Sequence, residues 1–175
     1  MKIGGILAFA LCAAFATCFT GCSDSGIRAI PEQPPQQVSI IPGESIGQIT
    51  LGETCTDIEQ AYGSPSAAST LLGYVYAVWE TRGIAAGGVD ANQNGLFDST
   101  EQCLGIAVTA PFAGSTAEGI HIGSTRAEVL TAFGTPDIAS STNDRFMRKG
   151  IAFAYANDSE DIVTQIAIFA PLATV

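Results

Sequence analysis

The sequence predicts an α+β fold built of two tandem β-α-β-β-β repeats, each with a helix on one face of an antiparallel meander. Residues 49–65 recur at 120–136, and every matching position is displaced by the same 71 residues. Each copy also contains a short apolar strand, a helix start, an amphipathic stretch and a Gly-x-Pro stop. Internal repeats decide architecture, so they outweigh local propensity.

The first residues of the 175-residue chain are typical of an export signal. Residues 1–21 comprise Lys2, a long apolar run and small residues before Cys22, which describes a secretory signal peptide. Small residues followed by Cys resemble the bacterial lipobox, although Phe19 stands where Leu is usual. This resemblance implies that Cys22 carries lipid. The alternative is an uncleaved membrane anchor, for which the run is barely long enough.

The charge balance bears on partners and location. The net charge of −10 becomes about −11 without the signal, because Lys2 leaves with it. An acidic chain argues against nucleic acid, which is bound by clustered Lys and Arg. Ser23 rather than Asp follows Cys22, which in the lipoproteins it resembles permits export to the outer membrane. We therefore expect a bacterial envelope protein, anchored by lipid in the outer membrane and facing the periplasm.

Composition also sets the domain boundaries. Residues 22–45 are rich in Ser, Gln, Pro and Gly without periodicity, which predicts a flexible tether. The first repeat is expected at 46–113 and the second at 114–175. An unmatched stretch between the last two strands of the first repeat interrupts the correspondence.

Each repeat predicts one capped helix. Thr54 and Thr125 are expected N-caps, with Asp57 and Glu128 three residues later as capping-box partners. Apolar residues recur at i, i+3 and i+4, so one helix face should be buried. These residues are Ile58, Ala61 and Tyr62 in the first repeat and Val129, Ala132 and Phe133 in the second. A left-handed stop is predicted at the glycines, Gly63 and Gly134.

Strands are expected on both sides of each helix. Short strands before the helices contain Ile49 with Leu51 and Ile120 with Ile122. The later strands are expected at Tyr74–Thr81, Gly83–Val89, Leu104–Thr109, Arg145–Arg148, Gly150–Tyr155 and Val163–Phe169.

Residues 90–101 match the calcium-loop pattern D-x-[DN]-x-[DN]-G-x5-E at every specified position and resemble an EF-hand loop. Calcium binds six to eight oxygens, which such a loop supplies in order. The predicted ligands are Asp90, Asn92, Asn94, the Leu96 carbonyl, Asp98 and Glu101. Gly95 allows the sharp turn, and Phe97 is expected in the core. Only a short turn, 157–161, stands at this place in the second repeat, so we expect an insertion at a hairpin tip.

The cysteine pattern agrees with export. Of five Cys, Cys12 and Cys18 lie in the signal and Cys22 is the expected lipid site. The remaining pair, Cys55 and Cys103, is predicted to form a disulfide in an oxidising compartment.

A family resemblance joins these observations. The pattern Gly-x-[ST]-x-x-[DE]-[VI]-x-x-x-[FY]-Gly-x-Pro, followed by three strands, resembles the SmpA/OmlA group of outer-membrane lipoproteins. Two tandem copies are similar to the β-lactamase-inhibitor-protein fold. That similarity implies one curved antiparallel sheet with short helices on one face. Members of these groups are mostly non-catalytic scaffolds or protein binders, which implies an envelope protein as partner.

Catalysis has little support in the sequence. His121, the single histidine, alternates with apolar residues and is expected to face solvent. Nucleophilic catalysis has no candidate set of residues. We therefore predict a non-catalytic protein-binding or scaffold module with a structural calcium site. The alternative is a small calcium-dependent hydrolase or carbohydrate-binding lipoprotein. Tyr74, Tyr76 and Trp79 are either core residues or, on one face, a binding patch.

Overall fold

The computed structural model describes residues 39–156 and 161–173, all within one compact unit. The predicted signal at 1–21, Cys22 and most of the predicted tether lie outside these residues, as does most of the turn at 157–161. The described chain is mostly sheet with two short helices, which confirms the α+β class. None of its helices has the length and apolar character needed to cross a membrane.

The helices are α1 (Cys55–Tyr62) and α2 (Arg126–Phe133). The strands are β1 (Ser39–Ile41), β2 (Ser45–Ile46), β3 (Ile49–Thr50), β4 (Ala67–Leu71), β5 (Tyr74–Trp79), β6 (Ile84–Val89), β7 (Gly105–Thr109), β8 (Ser115–Thr116), β9 (Ile138–Ala139), β10 (Asn143–Phe146), β11 (Ile151–Tyr155) and β12 (Val163–Phe169).

The larger sheet has eight strands in the order β4-β5-β6-β7-β12-β11-β10-β9, and all neighbours are antiparallel. Each helix is followed along the chain by four of these strands. Strands β7 and β12 meet in the middle, where Ile106 lies opposite Ile168. We call this pairing the central seam, because it joins the strands that follow α1 to those that follow α2.

A smaller sheet has the order β3-β2-β1-β8, with β1 and β8 parallel. Ile40 of β1 and Ile46 of β2 are buried in the main core. The predicted tether is therefore wrong for residues 39–45, which belong to the folded body. Pro42 and Gly43 form the turn between two strands here, not part of a linker.

The core lies between the larger sheet and the two helices. Strand β5 alternates as predicted, with Val75, Ala77 and Trp79 buried and Tyr74 exposed. Three buried aromatic rings, Phe133, Phe146 and Phe153, lie with centroids 5.2–6.0 Å apart. Full burial of one such side chain contributes about 1.5–3 kcal/mol.

Both predicted capping boxes are confirmed. Thr54 accepts from the Asp57 N–H and Thr125 from the Glu128 N–H, and each acidic side chain accepts from its cap N–H. The helices end one residue before Gly63 and Gly134.

The two terminal glycines differ from the expected left-handed stop. Their φ values are 77° and 81°, but ψ is 179° at Gly63 and −149° at Gly134. This is an extended region with positive φ that only glycine adopts readily.

Other strand expectations were incomplete. The edge strands β4 and β9 were not predicted, and the strand expected at 120–122 is only one bridge, between Ser115 and His121. Strand β5 stops at Trp79, where a short 3-10 turn, Glu80–Arg82, begins. β4 carries no apolar alternation because all its residues are exposed.

Candidate functional site

The candidate calcium loop connects β6 to β7, which are antiparallel neighbours. The loop therefore lies at a hairpin tip, as predicted, whereas its being an insertion relative to a second repeat stays a prediction. The loop is attached to the adjacent hairpin at its first residue, where the Asp90 N–H donates to the Gly73 carbonyl at 2.9 Å. Phe97 is buried in the core, as predicted, so the middle of the loop is also fixed.

The first half of the loop is a series of turns closed by the predicted ligand side chains. Asp90 accepts from the Asn94 N–H at 3.1 Å and from the Gly95 N–H at 3.0 Å. Asn92 Oδ1 accepts from the Asn94 N–H at 2.9 Å, and Asn94 Oδ1 from the Leu96 N–H at 2.7 Å. Each of these three side chains therefore has an oxygen whose position is set by backbone donors, which reduces the entropy cost of binding an ion.

In the second half of the loop, Asp98 and Glu101 converge on Thr100. The Thr100 hydroxyl lies 2.8 Å from Asp98 Oδ1 and 2.8 Å from Glu101 Oε1, but its single proton serves one of them at a time. Glu101 Oε2 accepts from the Asp98 N–H at 3.2 Å. The Asn94 amide donates to Asp98 Oδ2 at 2.9 Å, which links the two halves of the loop.

The electrostatics keep Asp98 ionised. Its pKa is held well below the usual range, first by the Thr100 N–H and then by the Asn94 and Thr100 side chains. Glu101 is only 1% exposed, so its side chain is held at the bottom of the loop. Carboxylates held in this way are acceptors for a hard cation.

Among the described residues, no three His, Cys, Asp or Glu side chains lie together as a group that could hold a metal ion. The three predicted carboxylate ligands, Asp90, Asp98 and Glu101, are therefore not brought together as one cluster in this structure. The other predicted donors are the Asn92 and Asn94 amide oxygens and the Leu96 carbonyl. All are oxygens from one short loop, which fits the donor chemistry of calcium and excludes a zinc-type Cys/His site there.

The end of the loop is attached to the start of α1, and we call this attachment the first junction. The Cys103 N–H donates to the Glu53 carbonyl at 2.7 Å, and the Gly52 N–H to the Cys103 carbonyl at 2.8 Å. The Cys55 N–H donates to the Asp98 carbonyl at 3.3 Å. The two last predicted ligands, Asp98 and Glu101, therefore lie within a segment held at both ends.

A second junction attaches the start of α2 in the same way. The Val163 N–H donates to the Ser124 carbonyl at 2.8 Å, and the Gly123 N–H to the Val163 carbonyl at 2.9 Å. The Arg126 N–H donates to the Asp161 carbonyl at 3.0 Å. Arg126 thus takes the place of Cys55, and Val163 the place of Cys103.

Both cysteines of the first junction are buried and carry free thiols. Burial raises the pKa of each thiol to about 11. For Cys55 the neighbouring Glu59, Asp98, Cys103 and Glu101 add to this effect. The Cys55–Cys103 disulfide stays a prediction, and the two thiols lie in the same core.

The second junction contains a buried ion pair that the sequence did not reveal. Asp144 is 0% exposed and accepts from Arg126 Nε at 2.9 Å, from Arg126 Nη2 at 2.6 Å and from the Tyr155 hydroxyl at 3.0 Å. Burial, followed by the bond to Asp144, raises the pKa of Tyr155. The one sequence feature that points to this ion pair is a charged residue, Asp144, at a strand position that faces the core. That position can be recognised only when the strand register is known.

His121 is exposed, as predicted, at the isolated bridge to Ser115 and close to Ser124. Its Nδ1 lies 3.0 Å from the Gly119 carbonyl and 3.1 Å from Ser124 Oγ. The Ser124 hydroxyl also accepts from the His121 N–H at 3.1 Å. A depression of about 470 Å³ adjoins these residues and is also lined by Glu118, Glu128 and Thr131.

The face of the larger sheet opposite the helices forms the second candidate site. We define the open face as the residues that line a shallow depression of about 280 Å³ on this side, namely Tyr74, Tyr76, Ala85, Gly87, Gly105, Ala107, Ala167 and Phe169, with Leu104 and the strand residues between them. Cross-strand register places Ala85, Ala107 and Ala167 in one row. Small side chains make this face flat, and aromatic side chains border it.

Exposed apolar side chains collect where the open face meets the calcium loop. Register places Leu71 opposite Tyr74 and Tyr74 opposite Val89, immediately before the loop. The exposed large apolar residues at this end are Leu71, Leu72, Tyr74, Val89, Leu96 and Leu104. Sequence analysis identified only Tyr74 among them as a possible binding residue, because the set comes from three separate segments, 71–74, 89–96 and 104, that adjoin only in the fold.

The chain matches no protein-family model, no curated protein and no solved structure. The resemblance to outer-membrane lipoproteins therefore stays a prediction. Function has to be argued from the sites themselves.

Proposed function

We propose that this chain is a lipid-anchored envelope lipoprotein that acts as a non-catalytic protein-binding or scaffold module. The open face is its binding surface, and the loop at 90–101 is a structural calcium site. Lipid on Cys22 holds the folded body at the outer membrane, facing the periplasm. The partner is another protein of the envelope.

The observation that carries this proposal is the open face with its apolar border. Exposed apolar residues are normally scattered singly, whereas contiguous exposed apolar patches mark interaction sites. A broad and shallow apolar surface fits another protein better than a small ligand, which needs a deep pocket with convergent polar groups. Tyr74 and Tyr76 supply the amphipathic rings that are favoured at the centre of protein interfaces.

The proposed architecture is a pair of tandem units that form one curved sheet. The recurring sequence, the two junctions with the same three backbone bonds and the two capping boxes support it. In this arrangement the first unit differs from the second chiefly by its longer β6–β7 connection. Calcium in that connection would draw Asp90, Asp98 and Glu101 onto one ion and so hold the loop against the border of the open face.

The test is site-specific photo-crosslinking in intact cells. A benzophenone amino acid placed at Tyr74 or at Tyr76 should form the same discrete protein adduct. Leu130 on α2 provides a matched control, because it is also exposed and apolar but lies away from the open face. The Leu130 variant should give no such adduct.

Ala107→Glu provides the second arm of this test. The added charge lies in the middle of the open face, so the adduct from Tyr76 should be lost while the protein stays folded by circular dichroism. An adduct that survives Ala107→Glu, or that forms equally from Leu130, would contradict the open face as the binding surface. Release of sugar or hydrolysis product by the purified protein in calcium would instead favour the alternative function.

A further inference from the structure

We infer that the Cys55 and Cys103 thiols form a redox site whose oxidation state sets the calcium affinity of the adjacent loop. This inference rests on the proposed calcium site and extends it to regulation. The two residues belong to the first junction, and both are buried in the same core. Their bond would close the segment that carries the last two ligands.

The first step concerns where the two cysteines lie relative to the last two predicted ligands. Cys55 donates its N–H to the carbonyl of Asp98, and Cys103 follows Glu101 by two residues. Thr54 pairs with Gln102 as an antiparallel bridge, so Cys55 and Cys103 flank the pair on the two strands. Any change that tightens this junction therefore restricts both Asp98 and Glu101.

The second step comes from the other junction. Its three backbone bonds form without any cysteine, since Arg126 and Val163 occupy the corresponding positions. The thiols are therefore not needed to build a junction of this kind. They occur in the junction that carries the predicted calcium ligands and not in the other one.

The chemistry is thiol–disulfide exchange with a low-molecular-weight disulfide as oxidant. The two protein thiols form one S–S bond, two electrons pass to the small disulfide, and two small thiols carry away the protons. The bond removes alternative positions of the 98–103 segment, so less ordering is needed when the ion binds. By linkage, calcium must in turn make the bond harder to reduce.

The test uses the full chain in detergent with Cys12→Ser, Cys18→Ser and Cys22→Ser, so that Cys55 and Cys103 are its only thiols. The protein is refolded with oxidised glutathione or with dithiothreitol, and mass spectrometry establishes the bond. Calorimetric titration with calcium chloride should show at least about fivefold tighter binding in the oxidised form. By the two-electron relation, the dithiol potential should fall by about 20 mV in saturating calcium.

Adding Cys55→Ser and Cys103→Ser supplies the matched control, which should bind calcium with the weaker affinity under both conditions. Equal affinities of the oxidised and reduced forms would overturn the coupling while leaving the calcium site intact. Failure to form the bond on refolding would overturn the redox site. Absence of calcium binding in both forms would refute the proposed calcium site and, with it, this inference.

Discussion

The two junctions share their backbone hydrogen bonds but differ in their side chains. In each, a helix start is attached to the strand that enters the central seam through the same three backbone bonds. The second junction adds a complete internal ion pair, in which Asp144 meets Arg126 and Tyr155. The first has no such pair at its helix start, where Cys55 replaces Arg126, and places acidic side chains in the loop beside it. The second junction is held by its own ion pair, whereas we expect the first to be stabilised by a cation.

The largest expected effect on stability is at the second junction. Asp144→Ala leaves the Tyr155 hydroxyl and the partly exposed Arg126 without their buried carboxylate, and losing hydrogen bonds to a charged group costs about 1.5–3 kcal/mol of the free energy of unfolding. Urea denaturation of the variant measures this loss. Asp137→Ala is the matched control, because Asp137 pairs with Arg148 at 2.8 Å but on the surface. A loss no larger for Asp144→Ala than for the control would show that the second junction does not depend on its ion pair.

The next largest effect on stability is expected at the first junction. Calcium at ten times its dissociation constant should stabilise the wild type by about 1.4 kcal/mol, since it binds only the folded loop. Glu101→Gln removes one ligand charge and should abolish most of this gain in thermal unfolding. Glu118→Gln, outside the loop, should keep it. Identical melting of the wild type in calcium and in chelator would mean that the loop is only a polar hairpin tip.

A smaller effect should distinguish backbone strain from steric crowding in the loop. Gly95 has φ of 75°, and a β-carbon there would meet Thr70 at an ordinary 3.5 Å. Gly95→Ala should therefore cost about 1 kcal/mol through backbone strain alone. Gly105→Ala is the control, because its nearest atom lies at 3.6 Å and its φ is not positive. Denaturant midpoints should fall for the first variant only.

The smallest expected effect should be shared by the two helices. Hydrogen bonds from Thr54 and Thr125 lower the pKa of Asp57 and Glu128. A lowered folded-state pKa gives stability that is present at neutral pH and is lost as pH falls below roughly 4. Asp57→Asn and Glu128→Gln should each flatten the acid limb of the melting-temperature profile slightly and to a similar extent. Unequal flattening would show that the helices are capped with different strength.

Much of the fold followed from local patterns, because caps, helix stops and alternating strands leave a short-range signature. Thr54 and Thr125 marked both helices, and Val75, Ala77 and Trp79 marked a half-buried strand. The edge strand β4 left no alternation because it buries neither face. Strands β1 and β2 were hidden in a Pro/Gly-rich stretch, where only Ile40 and Ile46 reach the core.

The candidate sites also differ in whether the sequence alone could reveal them. The ligand pattern at 90–101 lies in one continuous stretch, so sequence alone could identify it. The open face and the Arg126–Asp144–Tyr155 cluster bring together residues from separate strands, and only the register places them side by side. Pairings between distant segments, such as β1 with β8, have no local sequence signal.

The central seam has a consequence for how the chain is made. Strands β4 to β7 pair with sequence neighbours and can form a sheet as soon as they are synthesised. The other partner of β7 is β12, which follows only after α2 and three further strands of the same sheet. Closing that long loop is the entropically costly step of assembly. Until then β7 is an unpaired edge strand, which can pair wrongly with a strand of another newly synthesised chain. If the chain is exported as we propose, a chaperone that covers this edge would be needed during that interval.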